Sequence, residues 1–387
     1  MDESTRLIRA GSRRPEHLSR TVGPPIQKGS TVLMPDAAAL YDHDQVTYGR
    51  QGLAAHEALR DGLCALEAAA EVALFPSGLA AITGAMLAVL KAGDHVLVTD
   101  AVYKPTRRFC DNVLVGRLGM TVTYHDPRAT AGDLLDLATD RTRLIVLESP
   151  GSLTFEMQDA PAIAAAARSR GILTLMDNTW GAGLCFKPLM RGVDISVQAL
   201  TKYVGGHSDL FMGSAAVLDP DLAAAMRQAV IDFGWAVSPE DAYFMLRGLR
   251  TLPTRMARHG DSALQIAAWL AARPDVAQVL HPALTGAPDH DLFARDYSGA
   301  PGLFAFEMAP GPADAAHRFL DALKLFGLGF SWGGFESLAL DGGDQFRVRL
   351  KPPAFRGPLI RLSVGLEDPD DLIADLDQAL AACALAG

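Results

Sequence analysis

Lys202 sits in the run SVQALTKYVGGHS, with Thr201 before it and the pair Gly205–Gly206 after it. Upstream, the apolar run ILTLMDNTW ends in one carboxylate, Asp177. A lysine amine forms a Schiff base with an aldehyde, and a carboxylate at a strand mouth can hold a proton on a pyridine nitrogen. Those are the two things pyridoxal phosphate asks of a protein. The glycines after Lys202 permit the close backbone approach that a cofactor-bearing loop requires. Alone, a lysine near a strand end is more often a rim residue, and Asp177 equally suits a turn or cap. The pair together points to amino-acid chemistry.

Other residues fit the same purpose. Ser77-Gly78-Leu79 lies between a strand and a helix, where backbone amides form a phosphate site, although purely structural N-caps look the same. Thr201 can add a hydroxyl to that phosphate. Tyr103, in DAVYKP, follows a strand end and can stack on a ring. In TYGRQG, Tyr48 and Arg50 stand at i,i+2 and share a face if extended, and Arg50 offers a planar donor fork to a phosphate. Arg361 interrupts PLIRLSVG, an apolar run in which a guanidinium is costly unless it meets an anion. An α-carboxylate is a natural one.

These residues need a frame. Strand patterns occur at VALFPS, 95–100, 121–126, 143–150, 172–179, 193–200 and 213–219, with helical patterns at ALRDGLCALEAA, after Ser77, at 105–119 and at 161–170. The alternation predicts an α/β fold with a mostly parallel sheet flanked by helices. After about 245 the pattern changes to a long helix from TLPTR to about 273, a half-buried strand at 302–309, a helix at 312–325, the loop 331–337, a strand at 358–367 and a terminal helix. The expected division is an arm over 1–50, a large cofactor-binding domain over 51–245 and a smaller C-terminal α+β domain over 246–387.

With 387 residues the chain exceeds one ordinary core. A net charge of -10 argues against a nucleic-acid partner, which would need a basic face. Cys64, Cys110, Cys185 and Cys383 are far apart, which suits a reducing compartment, and no spacing suggests a structural metal. The N-terminus is charged where a signal peptide would be apolar, and no apolar stretch is long enough to span a bilayer. A cytoplasmic protein with no membrane partner is expected.

In order along nearly the whole chain run YGRQG, ALFPSGLAA, GDHVLVTDAVYKPTRRFC, VLESPGSLTFEMQDAPAI, LMDNTWGAG, QALTKYVGGHSD, RGLRTLPTR, SWGGFESL and IRLSVGLEDPDDLIADLD. With these motifs the chain resembles the fold-type I pyridoxal-phosphate enzymes of cysteine and methionine metabolism, most of all their cystathionine β-lyase branch. The resemblance implies Lys202 as the Schiff-base lysine and Asp177 as partner of the ring nitrogen. It implies Tyr103 stacked on the ring, with Ser77, Gly78, Leu79 and Thr201 around the phosphate. Ser331 and Arg361 would grip the substrate α-carboxylate, with Trp332 shaping the pocket. Such proteins are homotetramers of tight dimers, in which Tyr48 and Arg50 of the arm enter the neighbouring site and Arg50 binds phosphate.

The implied reaction is β-elimination from L-cystathionine, a thioether amino acid, giving homocysteine, pyruvate and ammonia on the transsulfuration route to methionine. TYGRQG, SWGGFES and the Ala199-Leu200 pair before TKYVGGHSD favour this branch. A broader cysteine-S-conjugate or cystine β-lyase, or a γ-lyase, would use the same residues. A regulatory protein on a degenerate scaffold is the rival outside enzymes, and the intact lysine and aspartate argue against it. Phe330 and Phe335 replace expected tyrosines, and Ser363 replaces a histidine. These departures leave the cofactor set untouched and substrate preference open.

Overall fold

The computed structural model describes residues 2–10, 21–42 and 45–384. Its large sheet has seven strands: β1 (Glu71–Phe75), β2 (His95–Thr99), β3 (Thr121–His125), β4 (Thr142–Glu148), β5 (Leu173–Asp177), β6 (Ile195–Gln198) and β7 (Gly213–Val217). Their spatial order is β1-β7-β6-β5-β4-β2-β3. Only β7 runs against its neighbours, β1 and β6. The C-terminal ends of β1, β2, β4, β5 and β6 therefore share one edge, the edge at which open α/β sheets bind ligands.

Both faces of this sheet are covered, which explains why its strands read as continuous apolar runs. Side chains alternate between faces with period two. Leu144, Val146 and Leu175 thus join one core with Ile82 and Met86, while Ile145, Leu147 and Met176 join the other with Leu249 and Leu252.

The small sheet contains β8 (Val276–Leu280), β9 (Leu303–Met308), β10 (Gly327–Leu328), β11 (Leu338–Asp341) and β12 (Leu359–Ser363), in the order β10-β11-β12-β9-β8. Ile360 and Leu362 of β12 pack with Phe304, Phe306 and Phe319 in a third core. Arg361, between them, must face the other way, and that way lies the large domain.

Several local expectations change. Strand β9 is buried along its whole length rather than half-buried, because the third core takes Phe304 and Phe306 while the first takes Leu303 and Ala305. The helix expected over 105–119 is α-helical only from Lys104 to Phe109 and continues as a π-turn over Cys110–Val115, a widened winding found as single turns inside helices. The long helix spans Pro239–Ala271 and contains Pro253. It begins earlier than its apolar pattern suggested, since Ser238 accepts a hydrogen bond from the Asp241 amide and Pro239 takes the first helical position. It runs unbroken across position 245, giving Leu249 and Leu252 to the first core and Ile266 and Leu270 to the third. Within the arm, Glu3–Ile8 is a helix whose Leu7 is buried in the large core. Among the described residues no helix is long and apolar enough to cross a membrane, and the four cysteines are unpaired.

Candidate active site

A cavity of about 340 Å³ opens at the shared strand edge. Ser77, Gly78 and Leu79 reach it from beyond β1, Tyr103 from beyond β2, Asp177 from the end of β5 and Thr201 and Lys202 from beyond β6. The small domain closes it with Ser331, Trp332 and Arg361. All the expected site residues except Tyr48 and Arg50 therefore meet in one place.

The Lys202 turn is fastened to Asp177 through one residue. Thr179 donates from its amide (3.0 Å) and its hydroxyl (2.5 Å) to Asp177 Oδ1, and the same hydroxyl accepts from the Ala199 amide (2.9 Å). Oδ2 of Asp177 has no hydrogen-bond partner among the described residues. Burial raises the Asp177 pKa, while the Thr179 donors and then Lys202 hold it back.

Lys202 Nζ donates to Ser331 Oγ at 2.9 Å and lies 5.2 Å from the centre of the Trp332 ring. It has no carboxylate within ion-pair distance among the described residues. Burial, and secondly repulsion from Arg361, lower its pKa to about 8, against the pull of Asp177. The Arg361 guanidinium gives Nη2 to the carbonyls of Phe330 and Ser331, each at 2.9 Å. Its Nε is buried without a partner. Burial pushes its pKa down to about 10. A buried cation with an unused donor and no carboxylate is suited to an anion.

The remaining residues suit a phosphorylated ring. Ser77 caps the helix Gly78–Val89 by accepting from the Ala80 amide, so the Gly78 and Leu79 amides precede the first intrahelical donor and stay available. A Cβ at Gly78 would stand 2.4 Å from that of Ala199, so only glycine lets the helix start meet the lysine turn. Thr201 lines the cavity, but its hydroxyl already donates to the Met212 carbonyl and accepts the Met212 amide. Tyr103 is partly exposed at the mouth. The lysine, the half-satisfied aspartate, the free helix amides and the aromatic lid together fit pyridoxal phosphate.

Tyr48 and Arg50 lie elsewhere. Arg50 borders a separate cavity with Arg60, Glu71 and Arg227, and its Nη1 donates to the Ile231 carbonyl at 3.3 Å. Tyr48 is exposed, bridged to Thr31. Phe330 reaches the cavity rim, whereas Phe335 is exposed outside it. Ser363 accepts from the Gly333 amide at 3.2 Å, supporting the loop beside Lys202.

Sequence reasoning passed over Glu148, Thr179 and Phe211, all of which line the cavity. Glu148 was within reach, because RLIVLESP ends in a carboxylate just as the strand carrying Asp177 does. Phe211 carried no signal, being an aromatic in an irregular loop.

A fold of this kind around such a lysine and aspartate defines a pyridoxal-phosphate enzyme, and family comparison agrees. Residues 4–381 match the Cys/Met metabolism PLP-dependent enzyme family, and the chain belongs to it. It is 47% identical to a protein of Rhizobium johnstonii, covering 98% of this chain and 96% of that one. It is 40% identical to the cystathionine beta-lyase of Escherichia coli K12, covering 97% and 98%. A crystal structure of cystathionine gamma-lyase from Lactobacillus plantarum, complexed with L-serine, superposes with a TM-score of 0.92 at 30% identity, covering 99% of this chain and all of that one.

Proposed function

We propose that the protein is a carbon–sulfur lyase that cleaves L-cystathionine by β-elimination to homocysteine, pyruvate and ammonia. The observation that carries this reading is the convergence on one cavity of an amine with no carboxylate partner among the described residues (Lys202), a half-satisfied carboxylate (Asp177) and a guanidinium whose Nε is unpartnered (Arg361).

Bound there, pyridoxal phosphate supplies an aldehyde for the substrate amine and a protonated ring that draws charge from Cα. Asp177 would keep the proton on the ring nitrogen. The Gly78 and Leu79 amides and Ser77 would hold the phosphate, with Thr201 beside them, and Tyr103 would cover the ring. Arg361 and Ser331 would bind the substrate α-carboxylate, with Trp332 bounding the pocket. Lys202 would carry the cofactor at rest and, once the substrate amine replaces it, its free amine would take the Cα proton and return a proton to the departing sulfur. A lysine brought down to about 8 suits both duties near neutral pH.

A second reading, a lyase for cystine or other S-conjugates of cysteine, is favoured by two exposed aromatics on the cavity rim, Phe211 and Phe330. Such a rim welcomes apolar sulfur substituents. Product analysis and substrate comparison test both. Cystathionine should yield pyruvate and homocysteine with the highest kcat/KM. Release of 2-oxobutyrate and cysteine would mean γ-cleavage, and faster turnover of cystine would favour the second reading.

We also read Tyr48 and Arg50 as completing the site of a neighbouring copy, within a tetramer. Support comes from their exposure and their distance from the cavity of their own chain. Mixing inactive Arg50→Ala and Lys202→Ala proteins should restore activity through mixed dimers; no recovery would count against shared sites. The four unpaired cysteines support a cytoplasmic setting.

A further inference from the structure

Two carboxylates, not one, stand on the large-sheet wall. Glu148 ends β4 and is paired in register with Asp177 at the end of β5. Its Oε2 accepts the Tyr103 amide at 2.7 Å, and this is the one hydrogen bond its carboxylate makes among the described residues. Charges of one sign on adjacent strands repel, and a site shared by two carboxylates is stable when one of them holds a proton.

The neighbours decide which. Asp177 has two donors from Thr179 and the Lys202 amine across the cavity. Glu148 has one amide, and the cation that acts on it, Arg349, is spent on a buried ion pair with Glu156 at 2.9 Å. Burial and the Asp177 charge both push the Glu148 pKa well up, with the Tyr103 amide and Arg349 pulling weakly against them.

We infer that Glu148 is a positioning residue that carries the proton of the Glu148–Asp177 pair and seats Tyr103 over the cofactor ring through the Tyr103 amide. This rests on reading Asp177 as the partner of the ring nitrogen. The proton leaves Asp177 as the charged member facing the ring. The amide bond fixes the backbone from which the Tyr103 ring projects, at the start of the helix Lys104–Phe109.

The test uses Glu148→Gln, Glu148→Ala and Tyr103→Ala holoenzymes, with the rate and extent of cofactor release on dilution as the readout. Glutamine keeps the acceptor oxygen and the uncharged state, so Glu148→Gln should retain cofactor within about two-fold, whereas loss of the hydrogen bond in Glu148→Ala should weaken retention about ten-fold. Because the effect passes through the Tyr103 ring, Glu148→Ala should add little to Tyr103→Ala. Losses in Glu148→Gln as large as in Glu148→Ala would overturn the uncharged role. Full additivity with Tyr103→Ala would overturn the seating role. Asp177→Asn with Glu148 intact tests the Asp177 reading separately through turnover, and its failure leaves the Tyr103 measurements interpretable.

Discussion

On the large-sheet side of the cavity, Glu148, Asp177 and Lys202 stand at or just beyond strand ends, whereas on the small-sheet side Arg361 stands in the middle of a strand. The difference sets how each charge is held. Groups at strand ends are held by the loops that leave there, as the Thr179 hydroxyl holds both Asp177 and the Ala199 turn. Arg361 has no loop of its own. The period-two geometry of β12 delivers it, and carbonyls of the segment 329–331 catch it. In the proposed function the first wall reacts, since its amine and carboxylates are partly free, and the second recognises, since its fixed cation keeps an unused donor.

The sharpest way to break this contrast is at the reactive wall. Lys202→Ala should retain the fold and lose about 10³-fold or more in pyruvate release, the size expected for a general acid–base group that also carries the cofactor. Pyruvate released at the normal rate would end the assignment. Asp177→Asn should fold and bind some cofactor, because Thr179 can still orient the side chain. Its kcat should fall about 10²-fold, as for loss of one preorganised charge. Undiminished kcat would remove its role at the ring nitrogen.

The recognition wall should respond differently. If Arg361 meets the substrate carboxylate from the first encounter, its loss in Arg361→Leu should show mainly in KM, by about ten- to a hundred-fold, the worth of a charge-assisted hydrogen bond. Arg361→Lys should recover only part of this, because an ammonium cannot reproduce the planar fork. A change confined to kcat would mean that Arg361 serves the transition state and would blur the distinction between the walls.

The same contrast explains what could be read in advance. Asp177 and Arg361 were legible because each breaks an apolar run, and a buried charge needs a reason wherever it lies. Glu148 carries an identical mark but was absorbed into its strand, since nothing local says that β4 and β5 are neighbours. Strand order rests on contacts far apart in the chain, as do β8 and β11, whose short patterns make sense only against β9 and β12. The early start of the long helix is marked by Ser238-Pro239, a local cap signal that the stronger periodicity after 251 outweighs. Tyr48 and Arg50 illustrate the opposite limit. Their i,i+2 spacing gives a shared face only in an extended segment, and Gly49–Gln51 instead winds into a 3-10 turn, where Arg50 donates to the Ile231 carbonyl.

The smallest expected effect couples the two walls through pH. Burial holds the Lys202 amine at about 8, and the Arg361 charge is the second cause. An amine must be unprotonated to condense with an aldehyde, so cofactor uptake by the apoprotein should accelerate as pH rises through about 8 and then level off. Replacing Arg361 by leucine removes a repulsion that disfavours the ammonium form, so the lysine pKa rises and the midpoint moves to higher pH. Replacing Asp177 by asparagine removes an attraction that favours the ammonium form, so the midpoint moves lower. Burial remains in both variants, so neither should reach the value of a solvated lysine. Stopped-flow absorbance of cofactor binding between pH 6 and about 10 reads all three midpoints. Shifts in the predicted opposite directions would show that both walls act on one amine. A wild-type midpoint at the ordinary lysine value would mean that the amine is solvated and that neither wall reaches it.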